Sequence, residues 1–248
     1  MFDTHIHLDQ YTDQQIAQIV ANPKISGLIA VSTNLASFQR LQQLQQKFPK
    51  IRPCLGYHPE QPLPSRAEKT QLFELFAKIG ADLPACGEVG LPHYLKRANP
   101  ELDYQPYIEL LDAFMLLSKR YDRPLNLHIV YDDTQIALDL MAKHQIHKAQ
   151  FHWFKASDDM LQKVLATPYM VSITPDILVN PKTQRVAERF PLERIMLETD
   201  GPWPHDGFDI GDIEGQLNAV IEKIAEIKQF PIEEVAYQVA KNSVEFYQ

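Results

Sequence analysis

Short runs rich in branched and aromatic apolar residues alternate along this chain with longer stretches in which apolar positions recur every three or four residues. The first pattern predicts strands and the second helices. The strand candidates are Phe2–Ile6, Gly27–Val31, Arg52–Leu55, Ala85–Val89, Leu125–His128, Ala149–His152, Tyr169–Ile173 and Arg194–Glu198. The helical period predicts Asp13–Ala21, Ala36–Lys47, Arg66–Ile79, Tyr104–Tyr121, Thr134–His144, Asp158–Ala166, Pro181–Phe190 and Ile213–Lys228 between and after them. A last amphipathic segment, Ile232–Phe246, reads as an additional C-terminal helix.

The punctuation agrees with these boundaries. Ser157, followed by two aspartates, suits a helix N-cap, and Pro181 suits a first helical turn. Pro124 stands before a strand, where its missing N–H matters little. Strand–helix units of this number in 248 residues match a closed parallel barrel, so the predicted fold is α/β, a (β/α)8 TIM barrel with an extra C-terminal helix. No low-complexity linker interrupts it, and one domain over residues 1–248 is expected. The competing layout, a doubly wound open sheet, is disfavoured because no glycine-rich loop follows the first strand.

Composition adds exclusions. Hydrophobic residues at 45% and charged residues at 23% are the balance of a globular protein, and no apolar run is long enough to span a bilayer. The segment MFDTHIHLDQ lacks the basic and apolar regions of a signal peptide. Cys54 and Cys86 lie in apolar segments without a CxxC partner, which predicts reduced, buried thiols and a cytoplasmic protein. The net charge of −8, with no basic run, argues against an extended surface for gripping nucleic acid. An anionic substrate must then be held locally, by metal ions or a few side chains.

Candidate chemistry gathers at strand ends, where barrel enzymes place it. In Asp3-Thr4-His5-Ile6-His7 the alternation of a strand aims His5 and His7 the same way, and two adjacent imidazoles favour a shared cation over mutual protonation. Glu88, inside Cys86-Gly87-Glu88-Val89-Gly90, is a charge in an apolar strand and needs a partner or a metal. His128 and His152 end the fifth and sixth strand candidates, and Asp200 follows the eighth. Glu198, two residues before Asp200, is expected to point inward and deeper. Taken singly these have bland alternatives: a core histidine, a buried salt bridge, a turn cap. Their joint placement is hard to obtain from packing alone.

The motifs Asp3-Thr4-His5-Ile6-His7-Leu8-Asp9, Gly56-Tyr57-His58-Pro59, Gly87-Glu88-Val89-Gly90-Leu91, Leu127-His128, Phe151-His152-Trp153-Phe154 and Leu197-Glu198-Thr199-Asp200-Gly201-Pro202 resemble those of the TatD family of metal-dependent hydrolases, over nearly the whole chain. The resemblance implies a barrel with two divalent metal ions. His5, His7, Glu88 and Asp200 would hold one, and Glu88, His128 and His152 the other, so that Glu88 bridges. It also implies 3′–5′ exonuclease or DNase activity, with His58 beside the substrate phosphate. Three positions depart from the family pattern. Pro92 stands where an Asp is common, Val130 where an Arg is usual, and His152 is followed by Trp-Phe-Lys-Ala instead of Cys-Phe-x-Gly.

Imidazole-rich ligation favours zinc, manganese or iron over magnesium alone. The expected reaction is attack by a metal-activated hydroxide on phosphorus or an acyl carbon, with Asp200 accepting the proton and passing it to the leaving group. The expected partner is a phosphoester, including single-stranded DNA ends, and no membrane. The altered contacts keep open hydrolysis of a small-molecule ester, amide or lactone by an amidohydrolase-like enzyme, and a catalytically idle metal-binding interaction protein is the third reading. Lys155 is expected to be a surface lysine and Trp153 a packed aromatic rather than phosphate and base contacts, with Trp203 equally open. His93, His144, His147 and His205 show no ligand spacing.

Overall fold

The computed structural model describes residues 1–248 and arranges eight parallel strands in a ring. They are β1 (Phe2–Ile6), β2 (Gly27–Val31), β3 (Ile51–Cys54), β4 (Cys86–Gly90), β5 (Leu125–His128), β6 (Ala149–Phe151), β7 (Met170–Ile173) and β8 (Ile195–Leu197). Regular ladders run β1-β2-β3 and β4-β5-β6-β7-β8. One seam is joined by a parallel bridge between Leu55 and Cys86. The other is closed by Asp200 N–H donating to the His5 carbonyl at 3.0 Å and His7 N–H to that of Gly201 at 2.7 Å. A closed barrel has no exposed sheet edge.

The helices are α1 (Asp13–Ala21), α2 (Leu35–Lys47), α3 (Arg66–Ile79), α4 (His93–Ala98), α5 (Gln105–Tyr121), α6 (Asp133–His144), α7 (Asp158–Leu165), α8 (Pro181–Arg189), α9 (Ile213–Lys228) and α10 (Ile232–Phe246). Their starts follow local chemistry. Thr12 forms a reciprocal capping box with Gln15, and Ser157 accepts from Met160 N–H as expected. Asn180 caps α8 with Pro181 in its first turn.

Two differences from the sequence expectation have physical reasons. The sixth and eighth strands end at Phe151 and Leu197, short of His152 and Glu198, because the chain turns there: Trp153 and Asp200 adopt left-handed φ values of 38° and 52°. The short helix α4 was not expected because it buries no side chain, so the sequence carries no apolar period there.

One apolar cluster of 55 buried residues fills the space around the strands. A smaller one joins Phe2, Ile29, Val31, Cys54, Ala85, Met196, Phe246 and Tyr247. Tyr247, just past α10, reaches inside the ring, since its hydroxyl meets Thr4 on β1, Asn126 on β5 and Gln150 on β6. Both cysteines are free and buried, and burial pushes their thiols up. No helix is long and apolar enough to cross a membrane.

Candidate metal centre

The closed ring brings His5, His7, Glu88, His128, His152 and Asp200 to one mouth, the carboxyl ends of the strands, all of them buried. His5 is oriented from behind. Asn126 spends its amide N–H groups on the Thr4 carbonyl at 3.1 Å and the Tyr247 hydroxyl at 3.0 Å, so its oxygen accepts from His5 Nδ1 at 2.7 Å. The His5 proton therefore sits on Nδ1, leaving a lone pair on Nε2. That atom faces Glu88 Oε2 and Asp200 Oδ1, each at 3.4 Å. His7 Nε2 faces the same two oxygens at 3.3 and 3.4 Å. A tetrahedral cation with ligands about 2.0–2.1 Å away separates them by roughly 3.3–3.4 Å along each edge. The four contacts have that length.

The other oxygen of Glu88 serves a second group. Glu88 Oε1 lies 2.9 Å from His128 Nδ1 and 2.9 Å from His152 Nε2, which are 3.2 Å apart. His58 Nε2 is 3.6 Å from the same oxygen. The rings of His5 and His152 stack with centroids 3.9 Å apart, holding the two groups side by side. Glycine is required here: a Cβ on Gly90 would stand 2.0 Å from the His128 carbonyl oxygen, so no other residue allows β4 and β5 to approach this closely.

The donor set fits divalent cations. His5 Nε2 and Glu88 Oε2 are buried without a hydrogen-bond partner. Leaving such groups unmet is unfavourable, and a shared cation satisfies both. Three overlapping clusters have metal-ligand spacing: His5-His7-Asp200, His5-Glu88-His152 and His58-Glu88-His128. In the metal-free protein the carboxylates and imidazoles shift one another. Burial alone would raise the Glu88 carboxyl, but the imidazoles of His58, His5, His152 and His128 hold it well below the usual range. Burial opposes ionisation of Asp200 too, and His7, His152 and His5 bring it down to about 2. Burial would lower His152, yet Glu88 and Glu198 raise it well above normal. Only His58 is governed by burial, which takes it down to about 4 and keeps it neutral.

Supporting residues lie directly behind. Glu198 points inward as expected, accepting from Ser172 Oγ at 2.6 Å and Trp153 N–H at 2.6 Å, and stands 3.6 Å from His152 Nδ1. Asp3 accepts from Thr199 Oγ1 at 2.7 Å, tying β1 to the loop that carries Asp200. Glu60 was not anticipated. It accepts from the Tyr94 and Leu95 N–H groups of α4, both at 2.8 Å, and lies 3.4 Å from His128 Nε2. No sequence period marks a loop carboxylate, although its place two residues after His58 was visible.

The mouth opens into a cavity of about 920 Å³, whose wall includes Val130, Trp153, Lys155, Asp176 and Trp203. The expectation of a surface lysine fails: Lys155 is 7% exposed, and its ammonium lies over the Trp153 ring at 3.9 Å. His93 pairs with Asp133, His144 with Asp112, and His205 with the Thr199 carbonyl, and none reaches the cluster.

Comparison with known proteins is consistent with this arrangement. The family model described as TatD related DNase matches residues 2–248. A Haemophilus influenzae protein named "Uncharacterized metal-dependent hydrolase" is 51% identical over 248 residues, 100% of this chain and 99% of its own length. Human "Deoxyribonuclease TATDN3" is 24% identical, with 100% of this chain and 94% of that protein covered. Among solved structures, the TatD homologue YJJV of Escherichia coli K12 superposes with a TM-score of 0.82 at 24% identity, covering 100% of this chain and 97% of that one. A TatD family hydrolase from Entamoeba histolytica gives 0.83 at 17% identity, again over 100% and 97%.

Proposed function

Because the chain belongs to the TatD-related DNase family of metal-dependent hydrolases, we propose that it hydrolyses phosphodiester bonds at a site whose residues would hold two divalent cations. The observation that carries this reading is the division of the Glu88 carboxylate: Oε2 faces His5 and His7, and Oε1 faces His128 and His152. His5, His7, Glu88 and Asp200 would hold one cation, and Glu88, His128 and His152 the other. Bound there, such ions supply an acidified water and offset charge on the attacking and leaving oxygens of an in-line displacement.

The chain's own groups do the rest. Asp200 takes the proton of the attacking water and delivers it to the leaving oxygen. His58 donates to a phosphoryl oxygen: its Nδ1 accepts from Glu60 N–H at 3.2 Å, so the neutral ring carries its proton on Nε2, the atom nearer Glu88. Asn126 and Glu198 fix the His5 and His152 rings. The site lies in a concave cavity and the chain carries a net charge of −8, which favours a strand terminus over the middle of a duplex.

A second reading, hydrolysis of a small-molecule ester, amide or lactone, is favoured by Val130, an apolar residue in the cavity wall. Both are tested by counting metals on freshly purified protein and then measuring turnover of single-stranded DNA, bis-p-nitrophenyl phosphate and p-nitrophenyl acetate with Mn²⁺ or Zn²⁺. Phosphodiester turnover that chelation abolishes supports the first reading. Ester turnover alone moves the assignment to the second.

A further inference from the structure

Lys155 is the one Lys or Arg among the 18 residues lining the cavity. Its side chain is 9% exposed, and its ammonium makes no hydrogen bond to the protein. The nearest carboxylate oxygen, Asp176 Oδ2, is 3.8 Å away and already engaged by Trp153 Nε1 at 3.0 Å, Asn180 Nδ2 at 2.9 Å and Thr183 Oγ1 at 2.6 Å. A cation this buried is normally hydrogen-bonded. Here no protein acceptor takes its N–H groups, and the adjoining ring of Trp153 offers attraction without accepting a hydrogen bond. Desolvation lowers the Lys155 pKa, while Asp176, Asp200 and Glu198 oppose that shift and favour the charged form.

Trp153 beside it is held at two points. Trp153 is pinned through its backbone N–H by Glu198 and through its indole N–H by Asp176. Trp203 makes a T-shaped contact with it, with ring centroids 5.6 Å apart, and is itself 55% exposed and part of the cavity wall. An ammonium without a protein acceptor beside an exposed aromatic ring matches an anionic group joined to a planar ring.

We propose that Lys155, Trp153 and Trp203 form a substrate subsite in which Lys155 binds a non-scissile phosphate and Trp203 stacks on the adjoining base. This deepens the phosphodiester reading and rests on it, because it places a second phosphate in the cavity that holds the scissile one. It also gives the cavity the cationic contact that Val130 does not provide.

The chain contains only two tryptophans, and both belong to this wall, so intrinsic fluorescence reports occupancy without a label. The test titrates metal-loaded protein with thymidine, thymidine 5′-monophosphate and thymidine 3′,5′-bisphosphate, following tryptophan quenching. The wild-type protein is expected to bind the bisphosphate about tenfold or more tightly than the monophosphate, the size of one charge-assisted hydrogen bond. K155M should erase that preference, K155R should keep most of it, and W203A should weaken both nucleotides together. A wild-type protein without the preference, a K155M variant that retains it, or a K155R variant that loses it as fully as K155M overturns the proposal. Thermal melts of the variants show that each is folded. Binding is read without turnover, so a bisphosphate preference in a protein that leaves bis-p-nitrophenyl phosphate intact would preserve the subsite while removing the phosphodiesterase reading.

Discussion

Two layers of polar side chains lie within the barrel, one directly above the other, and they follow opposite rules. The lower layer, Thr4, Asn126, Gln150, Ser172, Glu198 and Tyr247, is fully satisfied. Gln150 Nε2 bonds Thr4, Ser172 and Glu198, Tyr247 bonds both Asn126 and Gln150, and no side-chain atom of the six lacks a partner. The upper layer is the candidate metal centre, where His5 Nε2 and Glu88 Oε2 are orphaned among like-facing donors. At three strand ends the two layers are two positions apart: Asn126 and His128 within β5, Gln150 on β6 and His152 just past it, and Glu198 and Asp200 just past β8. That is the period with which a strand repeats its direction. Burial alone therefore does not mark a site. A satisfied polar layer is structural, and an unsatisfied one of the same depth is a place for something else.

Four experiments break or sharpen this contrast. Asp200→Asn in the upper layer should reduce kcat by about 100- to 10,000-fold, the usual range for losing a proton-transferring group, with the fold intact by circular dichroism. Unchanged turnover would remove Asp200 from proton transfer. Chelation should lower the melting temperature by roughly 10 °C, since saturating a site at about a thousand times its Kd contributes about 4 kcal/mol and a domain of this size shifts a few degrees per kcal/mol. A melt indifferent to chelator would mean that the upper layer holds no ion.

Tyr247→Phe in the lower layer should act the other way. Removing a hydroxyl that serves Asn126 and Gln150 should destabilise the protein by about 1–3 kcal/mol, while bound metal stays at the wild-type count. Loss of metal without loss of stability would reverse the roles assigned to the two layers. The smallest effect is expected at their margin. Glu60→Gln should weaken metal binding about tenfold by loosening His128, measured by competition with a chromophoric chelator. An unaltered affinity would leave Glu60 with only its hold on the start of α4.

Much of this was legible in the chain, for reasons that differ from residue to residue. His5 and His7 declare a shared direction by their spacing alone, and Glu88 is conspicuous as a charge within an apolar run. Glu198 could be placed inward by counting back two from Asp200. Lys155 was misjudged because a lysine beside two aromatics resembles any loop cation, and its burial depends on Trp153 turning into the left-handed region and presenting its ring. Asn126 stood in plain view between two leucines of β5, but its function as the partner of His5 joins residues 121 positions apart.

Strand periodicity, helix caps, glycine positions and the identities of the six clustered side chains are local properties, and the order of residues was enough to establish them. Closure of the ring decided what those side chains meet: which oxygen of Glu88 faces which imidazoles, which nitrogen of His5 keeps its proton, and that Lys155 ends beside a carboxylate already in use. Direction along a strand is a matter of neighbours one or two residues away, whereas partnership across a barrel exists only once strands distant in the chain stand face to face.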